Sequence, residues 1–156
     1  MRPRRHPVTA SRKSRLERIR RACEQRGVPL TESRHVIVEA LLDLKTHPTA
    51  DEVHAAASRR DPGIGRATVY RALEQFVRIG VLTKVSHPGA AVRYDAVVDR
   101  HHHLICLECN GILDISDPGL DEVSVPDTSS LGFVVSDMQV QLRGVCRSCL
   151  QKEEKS

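Results

Sequence analysis

Two Cys-x-x-Cys pairs constrain this chain more than any other feature of its sequence. Cys106 and Cys109 form the first pair, and Cys146 and Cys149 form the second. Each pair is predicted to lie beside the end of a strand, where four thiolates can be presented to one tetrahedral ion. Zn2+ takes four soft ligands, has no redox chemistry and leaves no reactive position open in such a site. The pattern favours a structural zinc site in the C-terminal half.

Redox-active thiols and disulfides are the competing interpretations of these pairs. The sequence has no apolar segment typical of a secretory signal, so we expect a cytoplasmic chain, in which stable disulfides are rare. Neither pair opens a helix after a β-α-β unit, as a thioredoxin-like pair does. The apolar runs are also too short to span a membrane. Cys23, the fifth cysteine, lies on the apolar face of a predicted helix and is interpreted as a packing residue.

Aromatic residues make up only 3% of the chain, and there is no tryptophan. The core must therefore be built from Val, Leu, Ile and Ala, and thin cores of this kind need a metal or oligomerisation. Zinc binding contributes on the order of 10 kcal/mol of folding free energy in model peptides. A zinc site would thus stabilise a C-terminal half that has a small core.

Positive charge is concentrated at the N-terminus. Residues 1–26 hold ten Arg and Lys side chains beside only Glu17 and Glu24, whereas the whole chain has a formal net charge of +4. A basic arm on a mildly acidic body is typical of proteins that bind a polyanion. A solvated tail without a partner fits the charge distribution equally well.

Four helices and a hairpin are predicted before residue 95. Thr31 is a plausible N-cap of the second helix, and Thr49 with Glu52 has the sequence signature of a capping box that opens the third. The fourth helix is predicted over residues 66–79, and strands follow over residues 81–85 and 91–94. Two helices joined by a short turn and followed by a hairpin are typical of a winged helix-turn-helix. A generic helical domain with a hairpin is the alternative.

Short strands dominate the remainder, with predictions over residues 101–106, 112–115 and 133–143. Three consecutive histidines begin the first of these strands, and alternation places His101 and His103 on one face and His102 on the other. Asp114 follows on the next strand and Asp95 lies upstream. Imidazoles and carboxylates without a thiolate suit Fe(II) or Mn(II) better than a soft ion. A solvated, histidine-rich surface strand is the competing interpretation.

Taken together, these motifs resemble the ferric uptake regulator (Fur) family over residues 14–150, and the peroxide-sensing PerR-type branch in particular. The segments that carry the resemblance are residues 47–51 (HPTAD), 67–73 (ATVYRAL), 101–109 (HHHLICLEC), 111–114 (GILD) and 144–149 (GVCRSC). The resemblance implies an α+β fold, with an N-terminal winged helix-turn-helix domain and a small C-terminal α/β dimerisation domain that contains the four-cysteine zinc site.

This resemblance also implies an organisation along the chain. The expected segments are a flexible basic arm (1–13), a DNA-binding domain (14–94), a hinge (95–100), a zinc-stapled dimerisation and metal-sensing domain (101–150) and a tail (151–156). It assigns the four paired cysteines to structural zinc. The regulatory Fe(II)/Mn(II) ligands that it implies are His47, Asp95, His101, His103 and Asp114. One ion held by both halves would fix the angle between them and favour the DNA-competent homodimer.

Two features favour peroxide sensing over iron sensing within the family. Both regulatory carboxylates are aspartates, and residues 136–138 lack a histidine that iron sensors commonly use for an additional metal site. Zinc sensors of the family tend to have a thiolate at the sensory site, and no spare cysteine lies nearby here. In the peroxide branch, Fe(II) reacts with hydrogen peroxide and a ligand histidine is oxidised, here His47 or His101. The metal is then lost and DNA is released. Mn(II) would support DNA binding without this oxidation.

The fourth helix is expected to enter the major groove of double-stranded operator DNA. The residues expected to contact DNA are Arg66, Thr68, Tyr70 and Arg71. Pro29 stands where the family usually has a basic residue that reaches the minor groove, so Arg34 or the arm residues Arg2, Arg4 and Arg5 would replace that contact. Gly65 replaces a capping serine, and Pro126 shortens the helix that the family uses at its dimer interface.

The leading hypothesis is therefore a cytoplasmic, homodimeric repressor that is not an enzyme and is released from DNA by peroxide. A sensor of iron or manganese availability with the same architecture is the first alternative. A metallohydrolase and a zinc-stapled interaction module without DNA binding are more distant ones, because no separate general base is evident and the helix-turn-helix segment argues for DNA.

Overall fold

The computed structural model describes residues 4–5, 11–44, 47–86, 88–96 and 100–153. It divides the chain into two compact units, an N-terminal unit of residues 8–98 and a C-terminal unit of residues 99–156 together with residues 1–7. The predicted hinge contains residues 97–99, which lie outside the described part. Within that part, no helix has the length and apolar character needed to cross a membrane.

The elements follow one another in an α+β order. The helices are α1 (Arg12–Gln25), α2 (Glu32–Asp43), α3 (Ala50–Arg60), α4 (Arg66–Arg78), α5 (Pro118–Asp121) and α6 (Arg147–Glu153). The strands are β1 (Arg4–Arg5), β2 (Thr83–Val85), β3 (Arg93–Asp95), β4 (His102–Cys106), β5 (Ile112–Ser116) and β6 (Gln141–Gly144). A 3-10 turn spans Ser129–Leu131.

The N-terminal unit packs α1 to α4 around one apolar core, with the β2–β3 hairpin as the wing. Each helix contributes residues at helical spacing, among them Cys23 from α1, Ile37 from α2, Val53 from α3 and Phe76 from α4. Cys23 is fully buried here, in agreement with its interpretation as a packing residue. The winged helix-turn-helix prediction for this region is confirmed.

The starts of these helices differ in how they are capped. At α3 both bonds of the capping box form, since Thr49 Oγ1 accepts from the Glu52 N–H at 3.2 Å and the Thr49 N–H donates to the Glu52 carboxylate at 2.7 Å. At α2, Thr31 occupies the N-cap position, as predicted, although its side chain makes no capping bond. At α4 the cap is Gly65, which has no side chain to accept from the helix.

The C-terminal unit is built on a four-stranded sheet in the order β1-β5-β4-β6. Strand β5 runs antiparallel to β4 and pairs Asp114 with His103, while β6 runs parallel to β4. Because side chains alternate across a strand, this register places His103 and Asp114 on one face. Leu104, Leu113 and Leu142 are paired in register on the opposite face, and we call these three the leucine row.

Three expectations for this unit differ from the structure. The long strand expected over residues 133–143 is wrong, because only Gln141–Gly144 pair with β4 and residues 132–140 form no strand. At the termini, Arg4–Arg5 of the expected flexible arm pair with β5, and the expected tail begins inside α6. Pairing partners distant in sequence decide these segments, and local alternation does not reveal them.

Candidate functional site

The four paired cysteines converge in the C-terminal unit. Their Sγ atoms all lie within 4.8 Å of one another, with Cys106 and Cys149 3.9 Å apart, Cys109 and Cys146 3.9 Å apart, and Cys146 and Cys149 3.6 Å apart. Sulfurs at the corners of a tetrahedron around Zn2+ are separated by roughly 3.8 Å when each Zn–S bond is about 2.3 Å. None of the five cysteines forms a disulfide. The donor set and its spacing fit structural zinc.

Tight turns at the two pairs explain this convergence. At the end of β4, Cys106 donates its N–H to the Gly111 carbonyl at 2.9 Å, and Asn110 in the turn that follows adopts a left-handed φ of 57°. A Cβ at Gly111 would lie 3.2 Å from the Cys109 sulfur, so a side chain at this position would crowd the thiol. The second pair spans the start of α6, where the Cys149 N–H donates to the Cys146 carbonyl at 3.0 Å.

Backbone N–H groups also polarise the cluster. The N–H groups of Cys109, Cys146 and Glu108 point at the Cys106 sulfur and lower the pKa of this thiol to about 6, because they stabilise the thiolate. The neighbouring sulfurs, Cys146 first, raise the pKa of Cys149 to about 12. The Cys106 thiolate is favoured and negative charge on Cys149 is opposed, so a bound cation would favour the thiolate form of Cys149.

The predicted regulatory ligands fall into two groups, one in each unit. In the C-terminal unit, His103 Nε2 lies 3.0 Å from His101 Nε2 and 3.5 Å from Asp114 Oδ1, and His101 Nε2 lies 3.8 Å from the same oxygen. All three residues are buried. Two imidazole nitrogens and a carboxylate therefore converge on one point of the sheet face.

His102 lies on the opposite face of β4, as alternation predicts. Its Nδ1 accepts the Val140 N–H at 3.1 Å, so in the neutral imidazole the proton is on Nε2, which lies 3.1 Å from Asp121 Oδ1. These contacts attach the outer side of β4 to α5 and to the segment before β6. The sequence analysis placed His102 on the other face of the strand but did not identify Asp121 as its partner. Asp121 lies in α5, and a helix of only four residues gives a weak sequence signal.

In the N-terminal unit, His47 and Asp95 are brought together although they lie far apart in the sequence, one in the loop before α3 and one in the wing. Their Nε2 and Oδ2 atoms are 3.7 Å apart, and both side chains are buried. His47 has a φ of 63°, which is rare for a residue with a Cβ and is disfavoured further before proline. Such a backbone persists only where its surroundings impose it, and it is common at functional sites.

Strand β3 imposes this conformation. The Tyr94 N–H donates to the Pro48 carbonyl at 2.9 Å, and Arg93 Nη1 donates to the His47 carbonyl at 2.9 Å. An isolated bridge pairs Thr49 with Arg93 beside them. The loop that carries His47 is thus held against the strand that carries Asp95.

The residues of α4 that are predicted to contact DNA differ in their solvent exposure. Arg66, Tyr70 and Arg71 are exposed, with Tyr70 47% exposed, whereas Thr68 is half-buried. Arg66 pairs with Asp51 at 2.9 Å. Tyr70 is therefore a surface side chain, while Val69 and Leu73 of the same helix supply the core.

The expected substitutes for a minor-groove contact are Arg34 and the arginines of the N-terminal arm. Arg34 Nη1 donates to the Pro29 carbonyl at 2.8 Å, so this side chain holds the loop in which the proline stands. Arg2 lies outside the described residues. Arg4 and Arg5 lie in β1.

Comparisons with known proteins agree on one family. The ferric uptake regulator family matches the chain over residues 25–143. The peroxide operon regulator of Bacillus subtilis (strain 168) is 38% identical over 130 residues, which cover 83% of this chain and 90% of the relative. The peroxide-responsive repressor PerR of Staphylococcus aureus (strain USA300) is 34% identical and covers 88% of this chain and 93% of its own length.

Solved structures of the same kind share the fold. The ferric uptake regulator of Francisella tularensis with iron is 28% identical, with a TM-score of 0.66 over 80% of this chain and 96% of that one. The Helicobacter pylori ferric uptake regulator Fur has a TM-score of 0.70 over 94% of this chain and 97% of its own. At 22% identity, this second similarity concerns the fold alone.

Proposed function

Because the chain belongs to the ferric uptake regulator family, we propose that it is a homodimeric, metal-dependent transcriptional repressor that peroxide releases from operator DNA. The observation that carries the proposal is the donor set, which consists of two buried groups of imidazole and carboxylate without any thiolate. Two relatives at 38% and 34% identity are named for their response to peroxide, which supports the peroxide branch.

The donors fit Fe(II) and Mn(II), because nitrogen and oxygen ligands suit these ions better than they suit softer ones. His101, His103 and Asp114 of the C-terminal unit would hold the ion together with His47 and Asp95 of the N-terminal unit. Zn2+ would occupy the four-cysteine site, which has no open position for chemistry. The two sites thus have separate roles, one in stability and one in regulation.

Hydrogen peroxide would be reduced at the Fe(II) site beside these ligands, so that one peroxide oxygen ends on an imidazole carbon and the other leaves as water. His47 and His101 are the residues proposed to be oxidised. An oxidised imidazole is a poorer donor, and its loss would leave too few ligands to hold the two units at a DNA-competent angle. The ion favours the DNA-competent arrangement only to the extent that it binds this arrangement more tightly than the other one.

DNA recognition is proposed to reside on the exposed side of α4. Tyr70 would contact thymine methyl groups, and Arg71 would contact a phosphate or a guanine edge. Arg66 would exchange its ion pair with Asp51 for a phosphate, and the half-buried Thr68 is also proposed to contact the DNA. Arg34 would add charge near the minor groove while it holds the Pro29 loop.

A second copy of the chain is the proposed partner of the C-terminal unit. The leucine row is 36% to 42% exposed, and a groove of about 540 Å3 is lined by these leucines together with Cys106, Cys109 and Cys146. Phe133 and Val134, which lie in the segment that precedes β6, are also exposed. Apolar surface of this kind marks association sites. We further propose that the protein acts in the cytoplasm and is a regulator, as its relatives are, rather than an enzyme.

The decisive experiment compares the protein loaded with Fe(II) and with Mn(II) under hydrogen peroxide. Peptide mass spectrometry of the Fe(II) form should find one added oxygen on His47 or His101, and DNA release should follow the same time course. The Mn(II) form should gain no oxygen and stay bound to DNA. His35, an exposed histidine on α2, serves as an internal control and should remain unmodified.

One result would overturn the peroxide proposal in favour of a metal-availability sensor. In that case the Fe(II) form would keep both histidines unmodified under peroxide, and DNA would be released only when a chelator removes the ion.

A further inference from the structure

Strand β3 is the part of the N-terminal unit that connects the two proposed ligands. Asp95 belongs to this strand, and its carboxylate lies 3.7 Å from His47. Arg93 donates to the His47 carbonyl at 2.9 Å and lies 3.4 Å from Glu52, the capping-box residue of α3. A displacement of β3 would therefore move both ligands and disturb the start of α3.

The residue between these two, Tyr94, points to the opposite face of the strand. Its hydroxyl donates to Glu74 Oε1 of α4 at 3.0 Å, and the residue is only 2% exposed. The second oxygen of Glu74 accepts from Lys84 Nζ of β2 at 2.7 Å. Both strands of the wing are thus tied to one carboxylate on α4.

Glu74 is well placed to affect DNA recognition. It lies one helical turn after Tyr70 and Arg71, the exposed residues of α4 that are proposed to contact DNA. Residues three and four positions apart are neighbours on a helix surface. The bonds between Glu74 and the wing therefore determine the position of Tyr70 and Arg71 relative to the wing.

We propose that Tyr94 is a positioning residue that transmits metal occupancy at His47 and Asp95 to the recognition helix α4 through its hydrogen bond to Glu74. This inference rests on the proposed function, because it assumes that metal raises affinity for DNA. An ion bound to Asp95 would restrict β3, and β3 would hold α4 in the orientation that DNA selects. Metal and DNA would then favour the same arrangement of strand and helix.

The size of the coupling between metal binding and DNA binding separates this role from simple packing. If Tyr94 carries coupling, its loss lowers the effect of metal on DNA affinity and the effect of DNA on metal affinity by the same factor. If Tyr94 only stabilises the unit, its loss lowers the melting temperature and leaves both ratios unchanged.

The test is Tyr94→Phe, which keeps the ring in the core and removes only the hydroxyl. The full-length, zinc-containing protein is titrated with a DNA duplex selected in vitro against the Mn(II)-loaded wild type, with and without Mn(II). The ratio of the two DNA affinities should fall about tenfold or more, the loss expected for one hydrogen bond to a charged group. The ratio of the Mn(II) affinities measured with and without DNA should fall by the same factor.

Ser58→Ala is the matched control. It also removes one hydroxyl hydrogen bond from the N-terminal unit, since Ser58 Oγ donates to the Ile64 carbonyl at 3.3 Å, a bond that involves neither β3 nor Glu74. The increase in its DNA affinity caused by Mn(II) should equal that of the wild type. Glu74→Ala should reduce the enhancement as Tyr94→Phe does, and the double variant should lose no more than either single one.

An unchanged enhancement in Tyr94→Phe, or additive losses in the double variant, would overturn the inference while leaving the proposed function intact. If Mn(II) has no effect on the DNA affinity of the wild type, the proposed function fails, and the inference fails with it.

Discussion

At the scale of single residues, Cys106 organises the four-cysteine site. It ends β4 inside the sheet, it is the one buried member of the group, and its sulfur also accepts the Cys146 N–H at 3.3 Å. Backbone donors lower the pKa of its thiol to about 6, so the Cys106 thiolate is favoured. A serine in its place has a hydroxyl that stays protonated and binds zinc poorly.

Cys106→Ser should therefore lose zinc and unfold the C-terminal unit. The expected loss of folding free energy is on the order of 10 kcal/mol, the amount that zinc provides in small sites. Elemental analysis measures the zinc content, and circular dichroism with thermal melting measures the fold. Cys23→Ala is the control and should keep its zinc, because Cys23 lies in the other unit. A zinc-free Cys106→Ser protein with an unchanged melting curve would contradict the assignment.

At the scale of elements, three helices of the N-terminal unit meet at one carboxylate. Asp43, the last residue of α2, accepts hydrogen bonds from Arg12 of α1 and Arg60 of α3. The Arg12 guanidinium, followed by that of Arg60, lowers the pKa of Asp43 below its usual value of 3.8. The pairs are partly exposed, so solvent and salt weaken them.

Asp43→Asn should make the stability of the protein less dependent on acid pH. Because the folded protein binds this proton less tightly than the unfolded chain, the stabilisation by Asp43 is complete above the unfolded pKa and disappears as the pH falls through the lower folded pKa. Urea unfolding at pH 7 should show the wild type to be more stable than Asp43→Asn, and the difference should shrink below pH 4 and in high salt. A difference that is the same at pH 7 and pH 3 would exclude this role.

At the scale of the whole molecule, the proposed regulation depends on ligands that belong to different units. His47 and Asp95 are positioned by the wing, and His101, His103 and Asp114 by the sheet. Neither group alone provides more than three donors. One ion that needs both groups would make the arrangement of the units depend on metal.

His47→Ala should keep its structural zinc but lose the metal dependence of DNA binding. The enhancement of DNA affinity by Mn(II), for which couplings of about 5- to 150-fold are typical, should fall to none. Fluorescence anisotropy with a labelled duplex measures the affinity, and elemental analysis measures the zinc. His35→Ala, on the exposed side of α2, should respond to Mn(II) as the wild type does. A His47→Ala protein whose DNA affinity still rises with Mn(II) or Fe(II) would refute a metal bridge between the units.

Features that depend on near neighbours could be predicted from the sequence. Thr49 and Glu52 form their capping box because both partners lie within one helical turn. His101 and His103 share a face, with His102 on the other, because alternation is a property of any strand. Asp114 could be placed with them only on the assumption that the neighbouring strand pairs in register.

Other features involve partners that no local pattern identifies. Residues 133–143 alternate like a strand, but only their last part finds an edge of the sheet beside β4. Arg34 is predicted to contact DNA, yet it also holds the carbonyl of the proline that replaces a basic residue. The bond between Tyr94 and Glu74 joins residues 20 positions apart, on different elements.

The sequence by itself determined the chemistry of this protein: four soft sulfur donors in two pairs, a separate set of imidazoles and carboxylates, and a helix with an exposed basic and aromatic side. Residue types and short spacings are sufficient for that. Only the tertiary structure decided that sulfurs from opposite ends of the C-terminal unit lie 3.9 Å apart and that a wing strand holds His47 in a left-handed conformation. The reason is physical, since such contacts form only when packing of the core brings distant segments together.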